Sequence, residues 1–287
     1  MGLLSRWPGS IRLNVGIMLI GLIALTALLQ PFLNQLIIGD EDPLLVGEFD
    51  LYLPPSQQHP LGTDRLGRDA LALVLMGLRL SLMVGVLAGS SATAIGVTVG
   101  CIAGYKGGIF DNILRSTTDT ILVIPSFPIL IVLAAYVQGL GIPTMALLLA
   151  VFSWPQAARI IRSQVMSLKQ RAYVEMARMS GLGDFAIIFK EIMPNLLPYI
   201  GVSFANSIMT TILAETGMRL LGLGPSRQAT LGLVVSWAMG WGVLALGKWN
   251  LIFPAILCLV LIFVALNFVN MGLEETYNPR LRRVRRA

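Results

Sequence analysis

Residues 81–105 read Ser81-Leu-Met-Val-Gly85-Val-Leu-Ala-Gly89-Ser-Ser-Ala-Thr93-Ala-Ile-Gly96-Val-Thr-Val-Gly100-Cys101-Ile-Ala-Gly104-Tyr105. The whole run carries no charge, and about 20 predominantly apolar residues suffice for a helix to cross the hydrocarbon core of a bilayer. Small residues recur at four-residue spacing: Gly85, Gly89 and Thr93, then Gly96, Gly100 and Gly104. In lipid such a stripe lets two helix backbones approach closely. The stretch therefore predicts a tightly packed transmembrane helix.

The rest of the chain agrees with this reading. Of 287 residues, 55% are hydrophobic and 13% charged, about half the roughly 25% charged residues of soluble domains. That leaves too little polar surface for a soluble enzyme, a disordered chain or a nucleic-acid binder. The net charge of +6 does not change this, because the charges sit at the ends of apolar runs. Cys101 and Cys258 both lie inside such runs, without metal-ligand or redox spacing, and read as buried thiols. One histidine, His59, gives no material for a metal cluster.

Five further runs qualify as spans: 14–33, 113–137, 145–161, 196–216 and 249–271. The first follows Arg6 and Arg12 but has no small-x-small cleavage site, so it reads as an uncleaved anchor. Pro125 and Pro128 lie at the middle of the third span of the chain, and Pro155 in the second half of the fourth. The expected organisation is an all-α integral membrane protein with six transmembrane helices. Residues 1–33 form the tail and first helix, 34–78 an extracytoplasmic segment, and 79–287 a five-helix core with a cytoplasmic loop at 163–195. Ala229–Gly247 is apolar too, but four glycines weaken it and a seventh span would separate two basic termini. It is expected to be re-entrant or surface-lying. With both termini inside, fifteen of the 21 Lys and Arg residues fall on the cytoplasmic side, including Arg280, Arg282, Arg283, Arg285 and Arg286 of the tail. This satisfies the positive-inside rule. The two halves show no internal repeat, which weakens a stand-alone secondary transporter of inverted-repeat type.

The cytoplasmic loop contains more helix-forming sequence than a connection needs. Arg171-Ala-Tyr-Val-Glu175-Met176-Ala177-Arg178-Met-Ser-Gly181-Leu182-Gly183-Asp184-Phe-Ala-Ile-Ile-Phe-Lys-Glu-Ile192-Met-Pro194-Asn195 predicts two short helices. The first should end with Gly181 in the left-handed C′ position. Asp184 should cap the second, and Pro194 should end it in a turn into the next span. Such helices outside the bilayer suggest a docking surface.

This segment resembles the EAA loop of ABC importer permeases in Glu175, Ala177, Gly181, Ile192 and Pro194, with Met176 and Met193 departing from the usual alanine and leucine. His59-Pro-Leu-Gly62-Thr-Asp64-Arg-Leu-Gly67-Arg68-Asp69 resembles a segment of the dipeptide/oligopeptide/nickel permease family, specifically its C-type subunit. Asn278-Pro-Arg-Leu-Arg282 resembles its ending, with Asn278 in place of aspartate. The stretch Pro225–Gly232 departs from the family pattern. The resemblance implies the type I ABC importer permease fold with N and C termini cytoplasmic. It also implies a second homologous permease subunit, two cytosolic ABC ATPase subunits, an extracytoplasmic solute-binding protein, and residence in a prokaryotic plasma (inner) membrane. ATP and Mg would be bound by the ATPases and no cofactor by this chain. Dipeptides or oligopeptides are the implied cargo, with nickel chelates or oligosaccharides as alternatives. The implied ATPase-coupling residues are Glu175, Met176, Ala177, Arg178, Gly181, Leu182, Gly183 and Pro194. Gly62, Asp64, Gly67, Arg68 and Asp69 would help form the binding-protein dock, and equally read as a capped turn leading into a surface helix.

Charges at membrane depth are functional candidates. Asp119 lies one helical turn after Arg115 and can pair with it. Glu215 can cap the fifth span or line the outer mouth of a pathway. Gly242–Lys248 matches the first positions of a phosphate-binding P-loop, but Trp249 stands where a magnesium-ligating Ser or Thr is required.

Overall fold

The computed structural model describes residues 10–136, 141–225 and 227–277. Arg6, Ser226 and the tail that holds Asn278 and Arg280–Arg286 lie outside the described residues. The described chain is helical: α1 (Ile11–Leu28), α2 (Gln30–Ile38), α3 (Ala70–Lys106), α4 (Gly108–Val123), α5 (Ser126–Tyr136), α6 (Ile142–Leu168), α7 (Ala172–Met179), α8 (Asp184–Ala186), α9 (Met193–Leu220), α10 (Leu231–Gly240) and α11 (Phe253–Tyr277). Five continuous helical segments are long and apolar enough to cross a membrane. A sixth is the pair α4–α5, broken by an 81° bend. The bend falls where the sequence places Pro125, which cannot donate the backbone bond that would continue α4. Ile124 before it is extended, as a residue preceding proline prefers to be.

The small-residue stripe does what its spacing predicts, on two faces. Gly96, Gly100 and Gly104 of α3 lie against α6, where an added Cβ would meet Ala157, Ala158, Ile161, Arg162 or Val165 within 3.0 Å. Gly85 and Gly89 lie against Ile208 and Ile212 of α9. The start of α1 and the last turns of α11 are packed together. Leu13 of α1 packs against Gly272 of α11, and Ser10 and Arg12 both bind Glu275.

Three sequence expectations are corrected. First, the membrane helix that includes residues 81–105 begins at Ala70, eleven residues earlier than expected. Residues 70–78 are apolar, and Arg79, inside the helix, donates to Gln30 of α2 at 3.1 Å. The 59–69 turn thus feeds a 37-residue span rather than a surface helix. Second, Pro194 ends nothing. Asp184–Leu220 is a continuous 37-residue helix that passes the proline through a π-helical stretch, Ile187–Ile192. The wider turn absorbs the missing N–H. Third, Asp184 lies inside the first turn and makes no cap bond. Its carboxylate accepts from the Tyr105 hydroxyl at 2.9 Å. Ala229–Gly247 holds only the ten-residue α10, too short to span. Leu231, Val234, Val235 and Ala238 of α10 pack into the core shared by α3, α9 and α11, so α10 is inserted among the helices, while Met239 near its end and Leu244 and Leu246 of the turns that follow are exposed.

Candidate functional site

The cytoplasmic end is built from α7 outward. Gly181 has φ +80°, a conformation glycine adopts without strain. Around it, Leu182 N–H donates to Ala177 and Gly181 N–H to Arg178. These two bonds are the Schellman closure expected of a C′ glycine. Val174 and Ala177 are buried on one face of α7, in a cluster with Ile187, Ile192 and Leu196 of the long helix, Cys101 and Tyr105 of α3, and Ile161 and Val165 of α6. Lys169 clamps the base of the loop by donating to the Gly104 carbonyl at 2.8 Å.

The opposite face is open. Glu175, Arg178, Gly181, Gly183 and Pro194 are exposed. Met176 (56%), Met179 (77%), Leu182 (36%), Phe185 (80%) and Phe189 (59%) are exposed large apolar side chains on one short, charge-flanked segment. Phe185 and Phe189 stack at 6.3 Å. Of the coupling residues read from sequence, only Ala177 is buried, where it supports the ridge from behind. Exposed apolar side chains grouped in this way mark an interaction surface. Sequence reasoning missed Met179, Phe185 and Phe189. Their signal was the helical spacing of large apolar residues opposite Val174 and Ala177.

At the other end, residues 59–69 fold back on themselves. Asp64 accepts from the backbone N–H groups of Leu66 and Arg68 and from the Arg68 guanidinium at 2.6–2.8 Å. Asp69 is the N-cap of α3, accepting from Ala72 N–H at 2.8 Å, and its second oxygen meets His59 Nδ1 at 2.8 Å. Gly62 (φ +75°) and Gly67 (φ +69°) stand where a Cβ would strike the carbonyls of Leu53 and Phe49. The Arg68 guanidinium lies 4.2 Å from the Trp237 ring of α10. Asp64, Arg68, Asp69 and His59 are all buried. These side chains hold the outer turn in shape and tie it to α3 and α10. Asp69→Ala removes both the cap and the His59 partner. It is expected to cost about 1–2 kcal/mol for the cap and more for the unpaired imidazole, read as a lower melting temperature in detergent.

The two membrane-depth acids separate in role. Glu215 is fully buried, bonded to Arg219 at 2.8 Å and accepting from Thr230 at 2.6 Å. It lies inside the protein, away from its surface. Asp119 lines a cavity of about 600 Å³ with Val99, Gly100, Arg115, Arg159 and Arg162. The expected Arg115 pair exists at 3.5 Å, but the closer partner is Arg159 of α6 at 2.7 Å. The P-loop-like Gly242–Lys248 lies in turns between α10 and a 3-10 turn at Trp249–Leu251. A P-loop joins a strand to a helix.

A multi-pass helical membrane protein with a packed, apolar-faced helical loop at one end is the class these features define. Residues 96–283 match the family model described as "Binding-protein-dependent transport system inner membrane component", and the chain belongs to that family. It is 35% identical over 269 residues to the oligopeptide transport system permease protein OppC of Mycobacterium bovis, covering 92% of this chain and 91% of the relative. OppC of Bacillus subtilis is 33% identical, covering 94% of this chain and 86% of the relative. The dipeptide transport system permease protein DppC of the same organism is 35% identical, covering 80% and 72%. Among solved structures, an inward-facing MetNI methionine ABC transporter chain aligns with TM-score 0.53 at 20% identity, over 70% of this chain and 96% of that one. This shows a shared fold.

Proposed function

We propose that the chain is the permease subunit of an ATP-driven, binding-protein-dependent peptide importer of a prokaryotic inner membrane. It would pair with a second homologous permease, two cytosolic ATPases that hold ATP and Mg, and an extracytoplasmic solute-binding protein. The observation that carries the reading is the apolar ridge of Met176, Met179, Leu182, Phe185 and Phe189, a surface shaped for a cytosolic partner. Peptide cargo rests on the names of the OppC and DppC relatives.

The packing supports a mechanism. A displacement of α7 by ATPase closure cannot be absorbed locally, because Val174 and Ala177 are packed against α3, α6 and the long α8–α9 helix at once. The Tyr105–Asp184 and Lys169–Gly104 bonds carry the same displacement into α3. The spans then tilt as units, and the pathway switches between inward-open and outward-open.

Phe185→Asp is expected to abolish co-purification of the ATPases in mild detergent while leaving the second permease attached. Retention of both ATPases by this variant would overturn the reading. Gly181→Val separates docking from coupling. A Cβ there meets nothing within 4 Å, so the spans stay folded, but valine resists φ +80° and the α7–α8 corner changes shape. Uptake is expected to fall at least tenfold while ATP hydrolysis continues, measured in proteoliposomes with binding protein present.

A further inference from the structure

Among the described residues, the cavity between α3, α4 and α6 sets three arginines, Arg115, Arg159 and Arg162, against two carboxylates, Asp111 and Asp119. Arg162 is matched in full, because Asp111 of α4 grips it with both oxygens. Arg115 and Arg159 share the single carboxylate of Asp119, and Arg159 holds it at 2.7 Å. Arg115 touches Asp119 only through Nε at 3.5 Å. Among the described residues, neither of its terminal nitrogens has a partner. Its side chain is 63% exposed and that of Arg159 55%.

The depth of this surplus charge is informative. Arg115 lies two turns from the start of α4 at Gly108, and Arg159 and Arg162 lie within three turns of the end of α6 at Leu168. Both helix ends belong to the cytoplasmic side on the charge distribution of the loops. Arg115 thus lies about 11 Å along its helix from that end and Arg159 about 14 Å, within reach of the interfacial region that flanks a hydrocarbon core of about 30 Å. The surrounding surface of α4 is apolar and open, with Ile109, Phe110, Ile113 and Val123 exposed, as acyl chains require. Basic pockets between transmembrane helices on the cytoplasmic side suit anionic lipid headgroups. A guanidinium with free terminal nitrogens suits a phosphate diester.

We propose that this cavity is a binding site for the phosphate headgroup of an anionic phospholipid of the inner leaflet, with Arg115 as its principal ligand and Arg159 as the second. Bound there, the lipid would wedge between α4 and α6 and stabilise the broken span. The proposal rests on the membrane orientation and not on peptide cargo, so its failure leaves the importer reading intact.

The test uses the assembled importer, purified in mild detergent and examined by native mass spectrometry after titration with phosphatidylglycerol or phosphatidylcholine. Phosphatidylglycerol is expected to be retained in preference to phosphatidylcholine. Arg115→Gln should weaken that retention about tenfold, as befits one lost charge-assisted contact. Arg115→Lys should restore most of it, because an ammonium still serves a phosphate as a point charge. Arg227→Gln, which removes a cation from the other side, should change nothing. Equal retention by wild type and Arg115→Gln would overturn the site. Displacement by inorganic phosphate alone would overturn the lipid as its source. Displacement by a peptide with a free C-terminal carboxylate would make the cavity part of the transport pathway and overturn it too.

Discussion

Gly100→Val is expected to prevent the chain from accumulating in folded form. The position lies mid-way along the α3–α6 contact. An added Cβ alone would stand 2.8 Å from the Ala158 carbonyl, 2.9 Å from Ile161 Cβ and 3.0 Å from the Arg162 amide. Two of the three obstacles are backbone, so no rotamer change relieves them and the helices must separate. Overpacking a well-filled core costs about 1–3 kcal/mol and sometimes more. Here both valine methyls enter a helix pair that is also fixed at Gly96 and Gly104, which places the cost at or above the top of that range. Separation would also open the α7 cluster, because Ile161 and Val165 belong to both contacts. Size-exclusion profiles of the tagged permease after graded heating measure the effect. Gly21→Val is the control. Nothing lies within 4 Å of a Cβ at that helical position, and its stability should be unchanged or slightly higher. Equal behaviour of the two variants would mean that the stripe is not a packing device.

How much of this was legible in the sequence follows from the range of the interactions involved. The existence of the apolar spans, the glycine spacing and the C′ glycine at Gly181 are local patterns, and each is found in the structure. Helix ends were read less well, because they depend on distant partners. The second span begins at Ala70 rather than Ser81, with Arg79 inside it matched by Gln30, 49 residues away. Pro194 looked like a terminus because proline breaks an ideal α-helix, yet one π-helical stretch accommodates it. Asp184 has the residue type and spacing of an N-cap, but the Tyr105 hydroxyl, 79 residues away, is the partner it finds. The same limit applies to the site. Asp64, Arg68 and Asp69 of the 59–69 segment are buried and hold its turn in shape, while Arg65 is exposed. The plain Met and Phe residues of the cytoplasmic loop proved to be the exposed ones. Composition could flag both segments, but only the fold decides which face is turned outward.

Breaking the Glu215–Arg219 pair is expected to have the second largest effect. Both side chains are essentially inaccessible, at 0% and 1% exposure. Arg219 also donates to the Pro225 carbonyl at 2.7 Å and the Gln228 carbonyl at 3.3 Å. Glu215 in turn accepts from Thr230, whose hydroxyl caps α10. One ion pair thus fixes the end of α9, the loop that follows it and the first turn of α10. Glu215→Leu leaves a buried guanidinium with two carbonyls and no counter-ion, and breaking a buried pair on one side costs about 3–5 kcal/mol. Arg219→Met leaves a buried carboxylate and should cost about as much. The double variant Glu215→Leu with Arg219→Met removes both charges. It should regain part of the loss, since apolar replacement of a whole buried pair is often neutral. Thermal melts of the four proteins give the coupling free energy, expected to exceed about 1 kcal/mol for groups in direct contact. The functional consequence reaches further than the stability. Through α10 the pair supports Trp237, on which Arg68 stacks, and Arg68 holds the turn built by Asp64. Even a stable double variant should therefore present an altered outer surface. In proteoliposomes it should show weaker stimulation of ATP hydrolysis by the binding protein, with basal hydrolysis unchanged. Full stimulation in the double variant would show that the outer turn holds its shape without the pair, and would confine Glu215 and Arg219 to stabilising the end of α9.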